Sequence, residues 1–85
     1  MNETDTNTTS VEIRVEGRVQ GVNYRASARR TARALGIDAE PVNLDDGTVR
    51  IRASGPSEAI ERFIAWCHDG PPAASVTAVS VTKRD

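Results

Sequence analysis

The chain has 85 residues, 38% of them hydrophobic, which suits one small domain and leaves no room for a second core. With 11 basic and 12 acidic residues its net charge is −1, so no general attraction to nucleic acid or to an anionic membrane is expected. A single cysteine excludes an intrachain disulfide, the single histidine leaves zinc without its usual ligands, and no apolar run approaches the ~20 residues of a membrane span.

The chain begins with a polar segment and continues with an alternating one. Residues 1–10 are threonine-rich and lack the basic and apolar regions of a secretion signal, so we expect a mobile tail on a cytoplasmic protein. Apolar and charged side chains then alternate over residues 11–16, which predicts a strand with one buried face. The folded domain is therefore expected to cover residues 11–85.

A short turn between Gly17 and Gly21 joins this strand to a helical pattern. The backbone N–H groups of such a turn, beside the N-terminus of a helix, favour the binding of an anion. Arg25 follows and adds a planar fork of donors that matches phosphate oxygens. From the residues alone Arg25 is also compatible with an ordinary exposed helix position, which is our interpretation of three later arginines: Arg29, Arg30 and Arg33.

The helical pattern covers residues 23–35, and Gly36 is a good C-terminal stop. A strand is expected over residues 38–43. Within it, Pro41 predicts a position at the edge of a sheet, because proline cannot donate a hydrogen bond to a neighbouring strand. The residues that follow, Asp45-Asp46-Gly47, indicate a hairpin turn.

Alternation resumes over residues 48–54, and Gly55-Pro56 is expected to open a second helix. An apolar stripe at spacings of three and four residues predicts the core-facing side of this helix: Ile60, Phe63, Ile64 and Cys67. The helix ends at residues 69–72, and the last strand covers 76–83, where Val76 is out of phase and predicts a bulge or a late start. The order βαββαβ is typical of the ferredoxin-like α+β sandwich, in which two helices cover one face of an antiparallel sheet.

Two segments of the chain resemble the signatures of the acylphosphatase family. The first is Gly17-Arg18-Val19-Gln20-Gly21-Val22-Asn23-Tyr24-Arg25, and the second is Asn43-Leu44-Asp45-Asp46-Gly47-Thr48-Val49. The similarity continues to the last strand through three further features: Gly55-Pro56, Gly70-Pro71-Pro72, and the pair Val79 and Val81. Two linked signatures are far more specific than one glycine-rich loop.

The resemblance implies an enzyme that hydrolyses the carboxyl-phosphate bond of a small acyl phosphate, without a metal or another cofactor. The residues suit this reaction, because the departing carboxylate has a pKa of only ~4–5 and needs no general acid. In-line attack of water then depends mainly on holding the phosphoryl oxygens and placing the water. We expect inorganic phosphate to act as a product inhibitor, and the protein to be a monomer without nucleic-acid or membrane partners.

By the same resemblance Arg25 and Asn43 are the catalytic residues, the first binding the phosphoryl group and the second positioning the attacking water. The backbone N–H groups of the loop complete the phosphate cradle: Gln20, Gly21, Val22, Asn23 and Tyr24. Taken alone, Asn43 is better interpreted as merely starting a turn, a common use of asparagine. Joined to the first signature, the functional interpretation is favoured.

One departure from the family pattern precedes Asn43. Ala39-Glu40-Pro41 stand where the family usually has a glycine, an aromatic and a β-branched residue. The strand is therefore expected to sit or twist differently, which concerns the placement of Asn43 and not the phosphate cradle.

Two other functions fit the fold. One is a non-catalytic module that binds phosphate or another anion at the same loop. The other is a domain that binds RNA or protein through exposed aromatic residues on the central strands. Those strands instead carry arginines, diluted by Glu12 and Glu16: Arg14, Arg50 and Arg52.

Overall fold

The computed structural model describes residues 8–84. The elements are β1 (Thr8–Arg18), α1 (Tyr24–Leu35), β2 (Asp38–Asn43), β3 (Val49–Pro56), α2 (Ser57–Asp69) and β4 (Ser75–Lys83). All strand pairs are antiparallel, and the sheet order is β2-β3-β1-β4. This is the ferredoxin-like α+β sandwich that the order of elements predicts. Within the described residues, neither helix has the length and apolar character needed to cross a bilayer.

Alternate residues of the two central strands form the floor of the core. Val11, Ile13 and Val15 of β1 are opposite Ala53, Ile51 and Val49 of β3, and all six are buried. The helices cover this face with a second buried set: Tyr24, Ala28 and Ala32 from α1, and Ile60, Phe63 and Cys67 from α2. Each fully buried branched side chain contributes about 1.5–3 kcal/mol relative to exposure. The predicted stripe of α2 is confirmed, with Ile64 half-buried at its margin.

The other face of the sheet is open and carries charged residues of both signs. Arg52 donates to Glu12 at 3.2 Å, and Arg14 lies 3.6 Å from Asp46 in the β2–β3 turn. These side chains are well exposed, so neither ion pair contributes much to the stability of the fold. The face is therefore a solvated surface of mixed charge.

Helix α1 begins at Tyr24, one residue later than predicted, because Asn23 has a left-handed backbone with φ of 68°. At its other end the prediction is confirmed. Gly36 is left-handed, its N–H donates to the carbonyl of Arg33, and the N–H of Ile37 donates to Ala32. These two hydrogen bonds form the Schellman motif, which satisfies carbonyl groups that the end of a helix leaves free.

The predicted irregularity of the last strand is present as a register shift. Glu16 pairs with Ala78, but Gly17 pairs with Val76, so β4 carries one extra residue at this point. Gly17 has φ of 121°, and a Cβ there would lie 2.8 Å from the N of Thr77. Only glycine fits both the conformation and the space, so the bulge fixes how β1 leads into the following loop.

Strand β2 lies at an edge of the sheet, as Pro41 predicts. Pro41 is buried against the helices and pairs with Ile51 without interrupting the register from Asp38 to Asn43. The departure at Ala39-Glu40-Pro41 therefore leaves β2 continuously paired.

The boundary predicted for the N-terminal tail is wrong by three residues. Thr8, Thr9 and Ser10 belong to β1, where they pair with Pro56, Gly55 and Ser54 of β3. The same pairing explains a second difference, since Gly55 and Pro56 end β3 and α2 opens only at Ser57. The remainder of the predicted tail, 1–7, lies outside the described residues.

Deleting residues 1–10 is therefore expected to destabilise the protein. The deletion removes three strand residues and the hydrogen bond between the hydroxyls of Thr9 and Ser57 at 2.6 Å. A loss of about 1–2 kcal/mol lowers Tm by roughly 5–15 °C in a domain of this size. The matched control deletes only residues 1–7 and should leave Tm nearly unchanged, because Met1 is the single apolar residue of this segment. Equal melting curves for the two deletions would contradict a structural role for Thr8–Ser10.

Candidate active site

The loop between β1 and α1 is anchored to the core by two valines. Val19 is buried and Val22 is half-buried against the core cluster. Between and beside them, Gly21 and Asn23 have positive φ values of 76° and 68°, whereas Val22 does not. Left-handed residues next to right-handed ones turn successive N–H groups toward one side, which is the geometry of an anion-binding nest.

The N–H groups of this loop are free to bind a ligand. Within residues 8–84, none of the loop N–H groups from Gln20 to Asn23 donates to a backbone carbonyl. Asn23 also provides no side-chain cap for α1, whose first turn contains no acidic residue. The partial positive charge of the helix N-terminus is therefore uncompensated on the side that faces the loop.

The side chain of Gln20 ties the loop to the β2–β3 hairpin. Its Nε2 donates to the carbonyl oxygens of Leu44 and Thr48, each at 2.9 Å. The hairpin is itself ordered by Asp46, which accepts from the N–H and the hydroxyl of Thr48, and these bonds lower the pKa of the Asp46 carboxyl. Because Leu44 directly follows Asn43, Gln20 links the position of the loop to that of Asn43.

Tyr24 fixes the start of α1 to α2. Tyr24 is 1% exposed, and the centroid of its ring lies 5.2 Å from that of Trp66. Its hydroxyl donates to the carbonyl oxygen of Cys67 at 2.8 Å. Burial raises the pKa of both the Tyr24 phenol and the Cys67 thiol, the latter to about 12. Neither group supplies a proton or a nucleophile at neutral pH, so Tyr24 and Cys67 are structural.

A pocket of about 200 Å³ opens where the loop, the first turns of α1 and the end of β2 meet. Arg25 and Asn43, the two residues that the sequence predicts as catalytic, both line it. So do three of the predicted cradle residues: Gly21, Asn23 and Tyr24. Gln20 and Val22 are not among its lining residues, although their N–H groups belong to the same loop.

The two predicted catalytic residues are both exposed. In the part of the chain that the structure describes, neither Arg25 nor Asn43 has a side-chain hydrogen bond or an ion pair. Asn43 pairs with Val49, so its side chain is on the helix-covered side of the sheet and not on the open face. An arginine and an amide thus reach one cavity from a helix and from a strand.

The lining is electropositive. It includes Arg29 as well as Arg25, and no acidic residue. Arg29 follows Arg25 by four residues and therefore lies on the same side of α1. Arg29 is exposed, as expected, and it also borders the cavity. Across residues 8–84, no three His, Cys, Asp or Glu side chains are grouped so as to hold a metal ion.

The family model for acylphosphatase matches residues 11–85. The chain belongs to the acylphosphatase family. A curated acylphosphatase from Azoarcus sp. (strain BH72) is 55% identical over 69 residues, which is 81% of this chain and 70% of that relative. Acylphosphatases are hydrolases, and the family implies a small-molecule acyl phosphate as substrate.

Solved acylphosphatase structures share the whole architecture. The acylphosphatase of Coxiella burnetii superimposes with a TM-score of 0.94 at 33% identity, over 100% of this chain and 90% of that chain. The acylphosphatase of Bacillus subtilis gives a TM-score of 0.85 at 37% identity, over 88% of this chain and 83% of that chain.

The acylphosphatase scaffold of this chain lacks the surface that RNA-binding ferredoxin-like domains use. All three aromatic residues lie on the helix side, where Tyr24 and Phe63 are buried and Trp66 is half-buried. The open face presents arginines and glutamates instead of aromatic rings.

Sequence reasoning missed how the acylphosphatase loop is held in place. The bonds of Gln20 span 24 and 28 residues, and that of Tyr24 spans 43. The position of Arg29 beside Arg25, by contrast, could have been inferred from the sequence, because a spacing of four residues puts both on one helix face.

Proposed function

We propose that this protein hydrolyses acyl phosphates in the 200 Å³ pocket, by direct in-line attack of water on phosphorus and without a metal ion. The observation that carries the proposal is the convergence of three groups on one cavity. They are the free loop N–H groups, the guanidinium of Arg25 and the side-chain amide of Asn43.

The cradle binds the phosphoryl group. N–H groups of Gln20 to Tyr24 donate to its oxygens, and Arg25 donates two further bonds from one planar fork. As water attacks, charge spreads over the equatorial oxygens, and fixed donors stabilise it without reorganising. The N-terminus of α1 adds its partial positive charge in the same direction.

Asn43 positions the nucleophile. Its carbonyl oxygen accepts a hydrogen bond from the water while its NH₂ group donates elsewhere, so the water keeps one orientation. Asn43 comes from β2, whereas the cradle comes from the β1–α1 loop, and water and phosphoryl group are held by separate elements. Gln20 supports this arrangement, because it bonds to the residue next to Asn43.

The leaving group explains why these residues suffice. A carboxylate departs without protonation, so no general acid is required at its oxygen. An alkoxide leaving group would need one, and the lining of the pocket offers no carboxyl or imidazole. The proposed substrates are therefore acyl phosphates and not phosphate monoesters.

Hydrolysis of benzoyl phosphate by the purified protein tests this proposal. We expect turnover that inorganic phosphate inhibits competitively, and a rate that EDTA leaves unchanged because no step requires a Lewis acid. An alkyl phosphate monoester is the control substrate and should not react. Activity lost in EDTA and restored by a divalent ion would overturn the mechanism. Phosphate binding without turnover would identify a non-catalytic anion-binding module instead.

We also propose that the protein is a monomer in the cytoplasm. Within the described residues, the large exposed hydrophobic side chains are Val42 and Val81, which lie on opposite edge strands and form no common patch. The free thiol of Cys67 in the core suits a reducing compartment. Sedimentation of the purified protein and fractionation of cells test these two points.

A further inference from the structure

Arg29 is the one charged residue of the pocket lining to which the proposed mechanism gives no task. It lies one helical turn beyond Arg25, roughly 6 Å further along the axis of α1. Its side chain has no ion pair or hydrogen bond within residues 8–84. An unpaired cation therefore lies beside the phosphoryl site.

A second cavity lies next to the first at Arg29. A neighbouring pocket of about 240 Å³ is lined by Arg29 and, further along α1, by Arg33, with Ile37, Asp38 and Ala39 on the opposite side. Arg29 thus lines both cavities, which lie in the groove between α1 and β2, one at the end of β2 and the other at its start. The acyl part of a substrate that extends from the first cavity toward the second would pass Arg29.

The charges along α1 favour an anion in this groove. The helix contains arginine at 25, 29, 30 and 33 and no acidic residue at any position. Like charges four residues apart destabilise a helix, and neither Arg25 nor Arg29 has a compensating acid within the described chain. The second cavity also contains Asp38, whereas the first contains no acidic residue, so the attraction for an anion is greatest where Arg29 faces the first cavity.

We propose that Arg29 determines substrate specificity by binding a second anionic group, carried on the acyl part of the substrate. This inference rests on the proposed function, since it assumes that Arg25 and the loop hold the phosphoryl end. The favoured substrates are then acyl phosphates whose acyl chain bears a carboxylate or a similar anion about one helical turn from the phosphorus.

Two rigid probes test the proposal: benzoyl phosphate and 3-carboxybenzoyl phosphate. The second carries the extra anion on a ring that cannot fold back onto the anhydride. We expect kcat/KM of the wild-type protein to favour the carboxylated probe by about three- to fivefold, the range of a partly exposed ion pair. Arg29→Gln should abolish this preference, and 0.5 M salt should reduce it in the wild type.

Arg30→Gln is the matched control. Arg30 is exposed on the same helix and lines neither cavity, and its replacement removes the same charge. The preference for the carboxylated probe should therefore persist in Arg30→Gln. If both variants lose it equally, the effect is long-range attraction and the proposal is wrong.

A binding measurement keeps the proposal separate from catalysis. Phenacylphosphonate and its 3-carboxy derivative replace the bridging oxygen by a methylene and cannot be hydrolysed. Calorimetric titration should show the same three- to fivefold preference for the carboxylated analogue, lost in Arg29→Gln only. Turnover of benzoyl phosphate with an unchanged preference in Arg29→Gln overturns this inference alone. Turnover of neither probe refutes the proposed function, and the specificity role falls with it.

Discussion

Replacing Arg25 by lysine is expected to lower kcat/KM for benzoyl phosphate by about 10²–10³, although the charge is retained. Lysine attracts the phosphoryl dianion but presents a single ammonium point and cannot donate two parallel bonds from one plane. The developing charge then loses a fixed partner, and phosphate binding weakens as well. The fold should survive, because Arg25 is exposed and unpaired in the part of the chain described. Steady-state kinetics, phosphate inhibition and a melting curve check these three points.

Arg30→Lys provides the control for Arg25→Lys. It makes the same chemical change on the exposed side of the same helix, outside the cavity lining. Its kinetics should match those of the wild type. Near-normal kinetics in Arg25→Lys as well would show that Arg25 is not the phosphate ligand.

Asn43→Ala should lower kcat by about 10² or more and change the inhibition constant of phosphate little. The reason is that Arg25 and the loop N–H groups still bind the phosphoryl oxygens, while the water loses its orientation. Stability should hardly change, because the side chain of Asn43 is exposed at the last position of β2. One variant thus separates binding from catalysis.

The alternative for Asn43 has a different signature. If Asn43 only starts the turn into the hairpin, its removal costs about 1 kcal/mol of stability and leaves kcat intact. Val42→Ala is the matched control, since Val42 is the preceding residue and pairs with Arg50 on the open face of the sheet. That variant should retain full activity, and an unchanged kcat in Asn43→Ala would refute the water-positioning role.

The sequence predicts the bounds of an element well where a stop or turn signal marks each of its ends. The bounds of β2 are predicted correctly because Gly36 stops the preceding helix and a turn signal follows at Asp45-Asp46-Gly47. The start of β1 is not predictable in this way. Thr8–Ser10 are polar and show no alternation, and they become strand only because β3 offers them partners.

The same distinction applies to the candidate site, where some residues are evident from the local sequence and others only from tertiary contacts. The loop and Arg25 are contiguous in the chain, so the sequence by itself predicts the proposed phosphate cradle. Asn43 needs tertiary structure, because nothing in its neighbourhood shows which face of β2 meets the cradle. The proposed role of Arg29 could not be predicted from the sequence, for a related reason. Spacing places it on the side of Arg25, but only packing of α1 against β2 shows that this side borders a cavity.

The two ends of the described chain lie side by side. The N–H of Arg84 donates to the carbonyl oxygen of Ser10 at 2.8 Å. Ser10 is near the start of β1, whereas the active-site loop follows the end of that strand, roughly 26 Å away at ~3.3 Å per residue. A short linker between these ends would permit circular permutation, with new ends opened at a surface turn. The domain can likewise be tethered to a surface or inserted into a host protein with its pocket facing away from the attachment.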